Sequence, residues 1–292
     1  MKHLTTYLRR VTNVRSPLRY LRKFYLYVSR FDFNRVQRRT AAEITLSDQA
    51  ARNVEALCNT GFSMMDAGDL PMESLHEIDL AKGRKLATFE MDTRLGAGKN
   101  YWRGILDSSD LTSDGPFVRL ALHPRVIEVA TAYLGQVPHL AYTQIYVSHG
   151  TQNSEWQETQ LWHADYDDTR MIKLWVYLTD VDSSADGPFT YIPAPYSRKI
   201  RNAFLRARFT DEEIERRGLG EHSKEVIAPK FSGFFVDTAR CLHRGSRLDL
   251  GKMRVAFNAT YIAHASLNSF RNKITARGEM TPQEKTILFS HN

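Results

Sequence analysis

From residue 139 onward the chain is a succession of short runs rich in β-branched and aromatic residues. They read "HLAYTQIYVS", "TQLWHA", "MIKLWVYLTDV", "PFTYIP", "KEVIAP", "GFFVDT" and "RVAFNATYIA", and Gly, Pro, Asp and Ser turns separate them. Short strands with this punctuation specify a sandwich or barrel, in which each strand buries its apolar face against its neighbours. One helical interruption fits "FTDEEIERRG", where Thr210 caps and acids fill the first turn.

The half that precedes these strands carries helix signals. In "ITLSDQAARNVEALCNTGF" Ser47 is placed to cap, Ala50, Ala51, Val54, Leu57 and Cys58 form an apolar stripe, and Gly61 is the stop. In "HPRVIEVATAYLGQVP" Pro124 suits a first turn, Val126, Ile127, Ala130 and Leu134 line one side, and Gly135 ends the helix. Residues 66 to 116 are rich in Gly and Asp with weak periodicity, and read as loops with one or two short strands.

With 292 residues and 42% apolar content the chain can bury a sizeable core. Two cysteines far apart, Cys58 and Cys241, are too few for a disulfide framework, which favours a reducing compartment. No run is apolar enough to span a bilayer, and the N-terminus lacks a hydrophobic segment followed by a cleavage site, so a cytoplasmic location is expected.

The net charge of +7 is uneven. Residues 1 to 40 hold eleven Lys/Arg against one acid, Asp32, and so carry +10, which leaves −3 for the remainder. Ser16 and Pro17 begin a helix pattern in which Leu18, Leu21, Tyr25 and Val28 alternate with Arg19, Arg22, Lys23 and Arg30. This basic amphipathic extension, residues 1–44, is expected to precede a domain of residues 45–292. Its helix fits packing on its own domain with the basic face in water, and the same pattern suits peripheral contact with an anionic membrane or approach to nucleic acid. No nucleic-acid partner is expected.

The chemistry begins at "LWHADY". If "QLWHAD" is a strand leading into a turn, His163 and Asp165, at i and i+2, share a face and can reach one ion. An H-x-D triplet alone fits an ordinary hydrogen-bonded pair as well as a metal grip. A third donor, His243, stands eighty residues downstream near the end of another β-type segment, in "FVDTARCLHRGSRL". Two histidines and a carboxylate on one face of a β-sandwich form the facial triad of non-haem Fe(II) oxygenases. Arg254 follows His243 by eleven residues, so a turn and a returning strand would bring a guanidinium beside the pocket, where it can hold a carboxylate bidentately. A surface ion pair is the plainer reading of Arg254. A 2-oxo acid chelating the metal would need such an arginine for its distal carboxylate.

The run "QLWHADYDDTRMIKLWVYLTDVDSSADGPFTYIPAPYSRK", then "CLHRGSR", then Arg254, resembles the phytanoyl-CoA dioxygenase family of Fe(II)- and 2-oxoglutarate-dependent oxygenases. The resemblance covers about residues 45 to 265 and includes "LHPRVIEVATAYLG". It implies an α+β, mainly β fold: a double-stranded β-helix (jelly-roll, cupin-like) core, its strands at about 139–265, flanked by N-terminal helices. His163, Asp165 and His243 match the family's iron ligands, and Arg254 matches the anchor of the 2-oxoglutarate C5 carboxylate. Gln144 resembles a polar residue lining the cosubstrate pocket, and Lys173 and Trp175, alternating along one strand, are placed to line it too. Two positions depart from the pattern: Pro193-Ala194-Pro195-Tyr196 replaces a P-G-S-H turn, and Gly245 stands where a small hydroxyl residue commonly assists the cosubstrate.

The implied cofactors are Fe(II), 2-oxoglutarate and O2. The implied reaction is oxidation of an unactivated C–H of a small molecule with release of succinate and CO2. Asp165 favours hydroxylation, desaturation or ring closure over halogenation, because related halogenases replace the carboxylate with a small residue to admit halide. Arg198, Lys199, Arg201, Arg206 and Arg208 would either receive an anionic substrate or form a solvated helix face. The alternatives are a non-catalytic binding module working through its basic N-terminal helix at membranes or nucleic acid, and a cupin-type metalloenzyme that does not use 2-oxoglutarate.

Overall fold

The computed structural model describes residues 45–88, 101–152, 155–165, 167–168, 170–200, 208–263 and 272–289. The helix expected in residues 1–44 lies outside them. In chain order the elements are α1 (Asp48–Thr60), β1 (Phe62–Met64), α2 (Met72–Leu86), β2 (Trp102–Gly104), α3 (Pro116–Ala121), α4 (Pro124–Leu134), β3 (His139–His149), β4 (Trp162–His163), β5 (Ile172–Tyr177) and β6 (Phe189–Ile192). There follow α5 (Ala194–Ser197), β7 (Arg208–Phe209), α6 (Asp211–Glu215), β8 (Lys224–Val226), β9 (Gly233–Val236), β10 (Leu242–Arg244), β11 (Met253–Ile262) and α7 (Pro282–Phe289), with short 3₁₀ turns between.

The local signals do what their chemistry dictates. The Ser47 hydroxyl accepts from Ala50 N at the start of α1, and Gly61 closes that helix in the left-handed region at φ 80°. Gly135 closes α4 in the same way at φ 68°. Thr210 and Glu213 form a reciprocal capping box on α6.

The loop expectation for residues 66–116 is corrected at α2. This fifteen-residue helix buries only Leu75, Ile78 and Ala81 and leaves Leu80 67% exposed, so its apolar stripe is thin and its periodicity faint. The strand β2 does lie in that stretch, and the short helix α3 begins where it ends.

Two sheets form, of six strands in the order β1-β9-β5-β11-β3-β2 and of five in the order β7-β4-β10-β6-β8. Every pairing in them is antiparallel. From β3 the chain passes between them: β3 in the larger, β4 in the smaller, β5 in the larger, β6 and β8 in the smaller, β9 in the larger, β10 in the smaller, β11 in the larger. That alternation is a double-stranded β-helix, the jelly-roll architecture.

Central β11 shows how the layers divide. Val255, Phe257, Ala259 and Tyr261 join Leu57, Ile78, Val126, Ala130 and Tyr133 in the core between the larger sheet and the helices. Arg254, Ala256, Asn258 and Thr260 face the other way, into the space between the sheets. A second core of Tyr177, Phe189, Tyr191, Phe234 and Val236 fills one part of that space. Among the described residues no helix is long and apolar enough to cross a membrane, and Cys58 and Cys241 are both free.

Candidate metal centre

In the smaller sheet β4 and β10 pair with His163 opposite His243, and His243 in turn faces Tyr191 of β6. Residues directly opposite one another in an antiparallel pair share a face, so both imidazoles point between the sheets, their ring centroids 4.2 Å apart. Each ring is oriented by a carbonyl two residues before it: His163 Nδ1 lies 2.8 Å from Leu161 O, and His243 Nδ1 lies 3.2 Å from Cys241 O. A carbonyl only accepts, so Nδ1 carries a proton in each ring and Nε2 is the nitrogen left to act as a ligand. The strand β10 is itself pinned by Ser197, whose hydroxyl accepts from Leu242 N and donates to Ile192 O, both at 2.8 Å.

Asp165 arrives differently from the sequence expectation. The strand β4 ends at His163, and Asp165 stands in irregular backbone beyond it. Its N–H donates to Thr238 O at 2.9 Å, so the turn that leads into β10 fixes it. Its Oδ2 lies 3.9 Å from His243 Nε2. One ligand atom from each of His163, Asp165 and His243 falls within 4.8 Å of the others.

The electrostatics suit ligands. Burial, with the neighbouring His243 adding to it, holds His163 well below the usual imidazole range, so it is neutral at pH 7. For Asp165 burial pushes upward, but Lys173, His243 and His163 together outweigh it, and the carboxylate is ionised. Burial would likewise lower Lys173, yet Asp165 keeps it charged. The two form an ion pair of 2.7 Å, and both are largely removed from solvent.

Arg254, the second residue of β11, stands opposite Ser148 of β3 and is buried. It donates to Gly187 O through Nη1, and its Nη2 lies 3.4 Å from Ser246 Oγ. Its Nε–H has no acceptor, and no carboxylate pairs with it among the described residues. Sequence reasoning missed Ser246 and Ser148, whose hydroxyls lie 3.0 Å apart beside this guanidinium. Ser246, next to Gly245 in sequence, places its hydroxyl beside Arg254. The β alternation Gln144, Tyr146, Ser148 could have found Ser148, whereas Ser246 needed the φ of +59° that turns it inward.

The remaining expected residues share the inner face but divide in their contacts. Trp175 faces Asn258 and Phe234 across its neighbours. Its ring lies 5.8 Å from Tyr146 and 6.2 Å from Phe189, which stacks 5.5 Å from His243, and its Nε1–H is buried without an acceptor. Gln144 is oppositely committed: its Oε1 accepts from Leu106 N at 2.6 Å and its Nε2 donates to Leu106 O at 3.0 Å. Of the basic residues after Pro193, Arg208 pairs with Glu158 at 2.6 Å, while Arg201 and Arg206 lie outside the described residues.

No protein-family model matches the chain, and no curated protein matches its sequence. Solved structures do match its fold. EctD from S. alaskensis, with 2-oxoglutarate and 5-hydroxyectoine, is 19% identical over 75% of this chain and 79% of its own, with a TM-score of 0.56. The same protein with bound Fe is 17% identical over 85% and 87%, at 0.52. The epimerase SnoN, in complex with Fe3+, alpha ketoglutarate and nogalamycin RO, is 18% identical over 73% and 83%, at 0.52. The shared property is the jelly-roll fold.

Proposed function

We propose that the protein is an Fe(II)- and 2-oxoglutarate-dependent oxygenase acting on an unactivated C–H of a small molecule. The observation that carries this reading is the convergence of His163, Asp165 and His243 on one point inside a double-stranded β-helix. The donor set fits the ion: two imidazoles and one ionised carboxylate suit a divalent iron and leave positions open. Matching structures hold Fe and 2-oxoglutarate on the same fold. The narrower likeness to the phytanoyl-CoA dioxygenase family rests on the sequence motifs.

His163, Asp165 and His243 would hold the metal, and Arg254 the distal carboxylate of 2-oxoglutarate. A buried guanidinium with an idle Nε–H and two serine hydroxyls beside it suits a carboxylate. Trp175, with its unpartnered Nε1–H, would line the same cosubstrate space. When bound, iron and 2-oxoglutarate would supply the oxidising power, with O2 consumed and succinate and CO2 released as the substrate is oxidised. The chain itself orients the ligands, excludes water and presents a wall of Trp102, Tyr146, Trp175 and Phe189 to the substrate.

Anaerobic titration with Fe(II) and 2-oxoglutarate tests the reading through the weak visible charge-transfer band of the chelate. A band that needs both components and vanishes in His163→Ala is expected. Its absence from folded, iron-loaded protein overturns the proposal.

A further inference from the structure

We propose that Lys173 is a resident counter-cation of Asp165 that competes with the metal ion and makes metal retention depend on the anionic cosubstrate. The inference rests on the reading that the triad binds a metal. Lys173 Nζ sits 2.7 Å from Asp165 Oδ2, and that same oxygen faces His243 Nε2 at 3.9 Å. No hydrogen-bond donor among the described residues otherwise serves Asp165 Oδ2. Lys173 is anchored mid-sheet, paired on one side with Thr260 of β11 and on the other with Val236 of β9, so its backbone cannot withdraw. The aromatic face near its ammonium is Tyr142, 5.8 Å away.

A buried carboxylate requires a compensating cation, and in the metal-free protein the ammonium meets that need. A divalent ion held by the triad brings a second positive centre next to the ammonium, where little water screens the two. Asp165, Asp167, Lys173, Arg254 and a divalent ion sum to +2, and the 2-oxoglutarate dianion returns the group to neutrality. Without Lys173 the corresponding values are +1 and −1. Metal alone is therefore disfavoured by the lysine, and metal with cosubstrate is not. An outer-shell hydrogen bond to a ligand normally works the other way, its loss costing about 10–100-fold in metal affinity. Here the partner is a full charge lying on the oxygen aimed at the triad, which reverses the expected sign.

The test is Ni(II) binding to the full chain by calorimetry, with and without 2-oxoglutarate, for wild type, Lys173→Met, Lys173→Gln and His163→Ala, with melting curves to establish folding. Gln keeps a hydrogen-bond donor and removes the charge, so it serves if Met compromises folding. Expected are at least tenfold tighter Ni(II) binding in both lysine variants without cosubstrate, and an enhancement by 2-oxoglutarate at least tenfold greater in wild type. Equal or weaker binding in the variants with unchanged coupling overturns the inference while leaving the metal centre in place. Binding that His163→Ala does not weaken, or no binding in any protein, overturns the metal reading and the inference with it.

Discussion

Replacing Arg254 by Met separates what this residue does for the fold from what it does for the ligand. The guanidinium is buried, donates to one carbonyl and one distant hydroxyl, leaves Nε–H idle and has no carboxylate among the described residues. Burial pushes its pKa down, which is the mark of a charge the interior does not compensate. Exchanging buried charged groups for apolar ones of similar size is commonly neutral or stabilising by about 1–4 kcal/mol. The unfolding free energy of Arg254→Met is therefore expected to equal or exceed that of wild type. Loss of two charge-assisted hydrogen bonds to a carboxylate removes about 3–6 kcal/mol of binding, which is about 10²–10⁴-fold in the 2-oxoglutarate dissociation constant. Cosubstrate at a hundred times its dissociation constant stabilises wild type by about 2.7 kcal/mol, and the same concentration should leave the variant almost unmoved. Urea unfolding of the Ni(II)-loaded proteins with and without 2-oxoglutarate reads both quantities. A variant destabilised by more than about 2 kcal/mol, or one stabilised by cosubstrate like wild type, refutes the reasoning.

Three further outcomes follow from particular contacts. Burial pushes the Asp237 carboxyl up to about 6, against the opposing hydrogen bond from Tyr133 at 2.5 Å and the charge of Arg240. Its folded pKa lies above the unfolded value, so its contribution is complete below about pH 4 and lost as pH rises through 6, on the order of 3 kcal/mol. Asp237→Asn should remove that dependence, and a wild-type minus variant stability difference that stays flat from pH 4 to 7 contradicts it. Gly61→Ala puts a side chain at φ 80° with its Cβ 2.5 Å from Cys241 Sγ, at a cost of about 2–4 kcal/mol from the left-handed backbone and the overlap. Adding Cys241→Ala should recover only the overlap, and full recovery by chemical denaturation would show that the backbone conformation is not at issue. His163→Ala should fold, with its circular dichroism unchanged, and retain no stoichiometric iron by elemental analysis; retention of iron would mean that the metal sits elsewhere.

Much of the site was legible because its residue types are rare in the combination seen. His163, Asp165, His243 and Arg254 stand at spacings that strand geometry and one hairpin could bring together, and the structure brings the first three within ligand reach. Lys173 and Trp175 were legible as one face of β5, since alternation is local. Gln144 was legible as inward-facing but not in its destination, because its amide bonds to Leu106, thirty-eight residues away in sequence. The helix α2 was missed because tertiary packing, not its own periodicity, sustains it.

The sequence by itself determined the β-rich half, the capped helices before it and the set of chemical groups available for a site, because caps, turns and alternation act over a few residues. Only the tertiary structure decided which groups meet. The hold of Thr238 O on Asp165 N–H, the Lys173 ammonium on the same aspartate and the isolation of Arg254 from any carboxylate among the described residues depend on strands far apart in the chain. Those contacts are set by sheet register and by burial, which withdraws water from a charge and leaves its nearest neighbours to decide its chemistry.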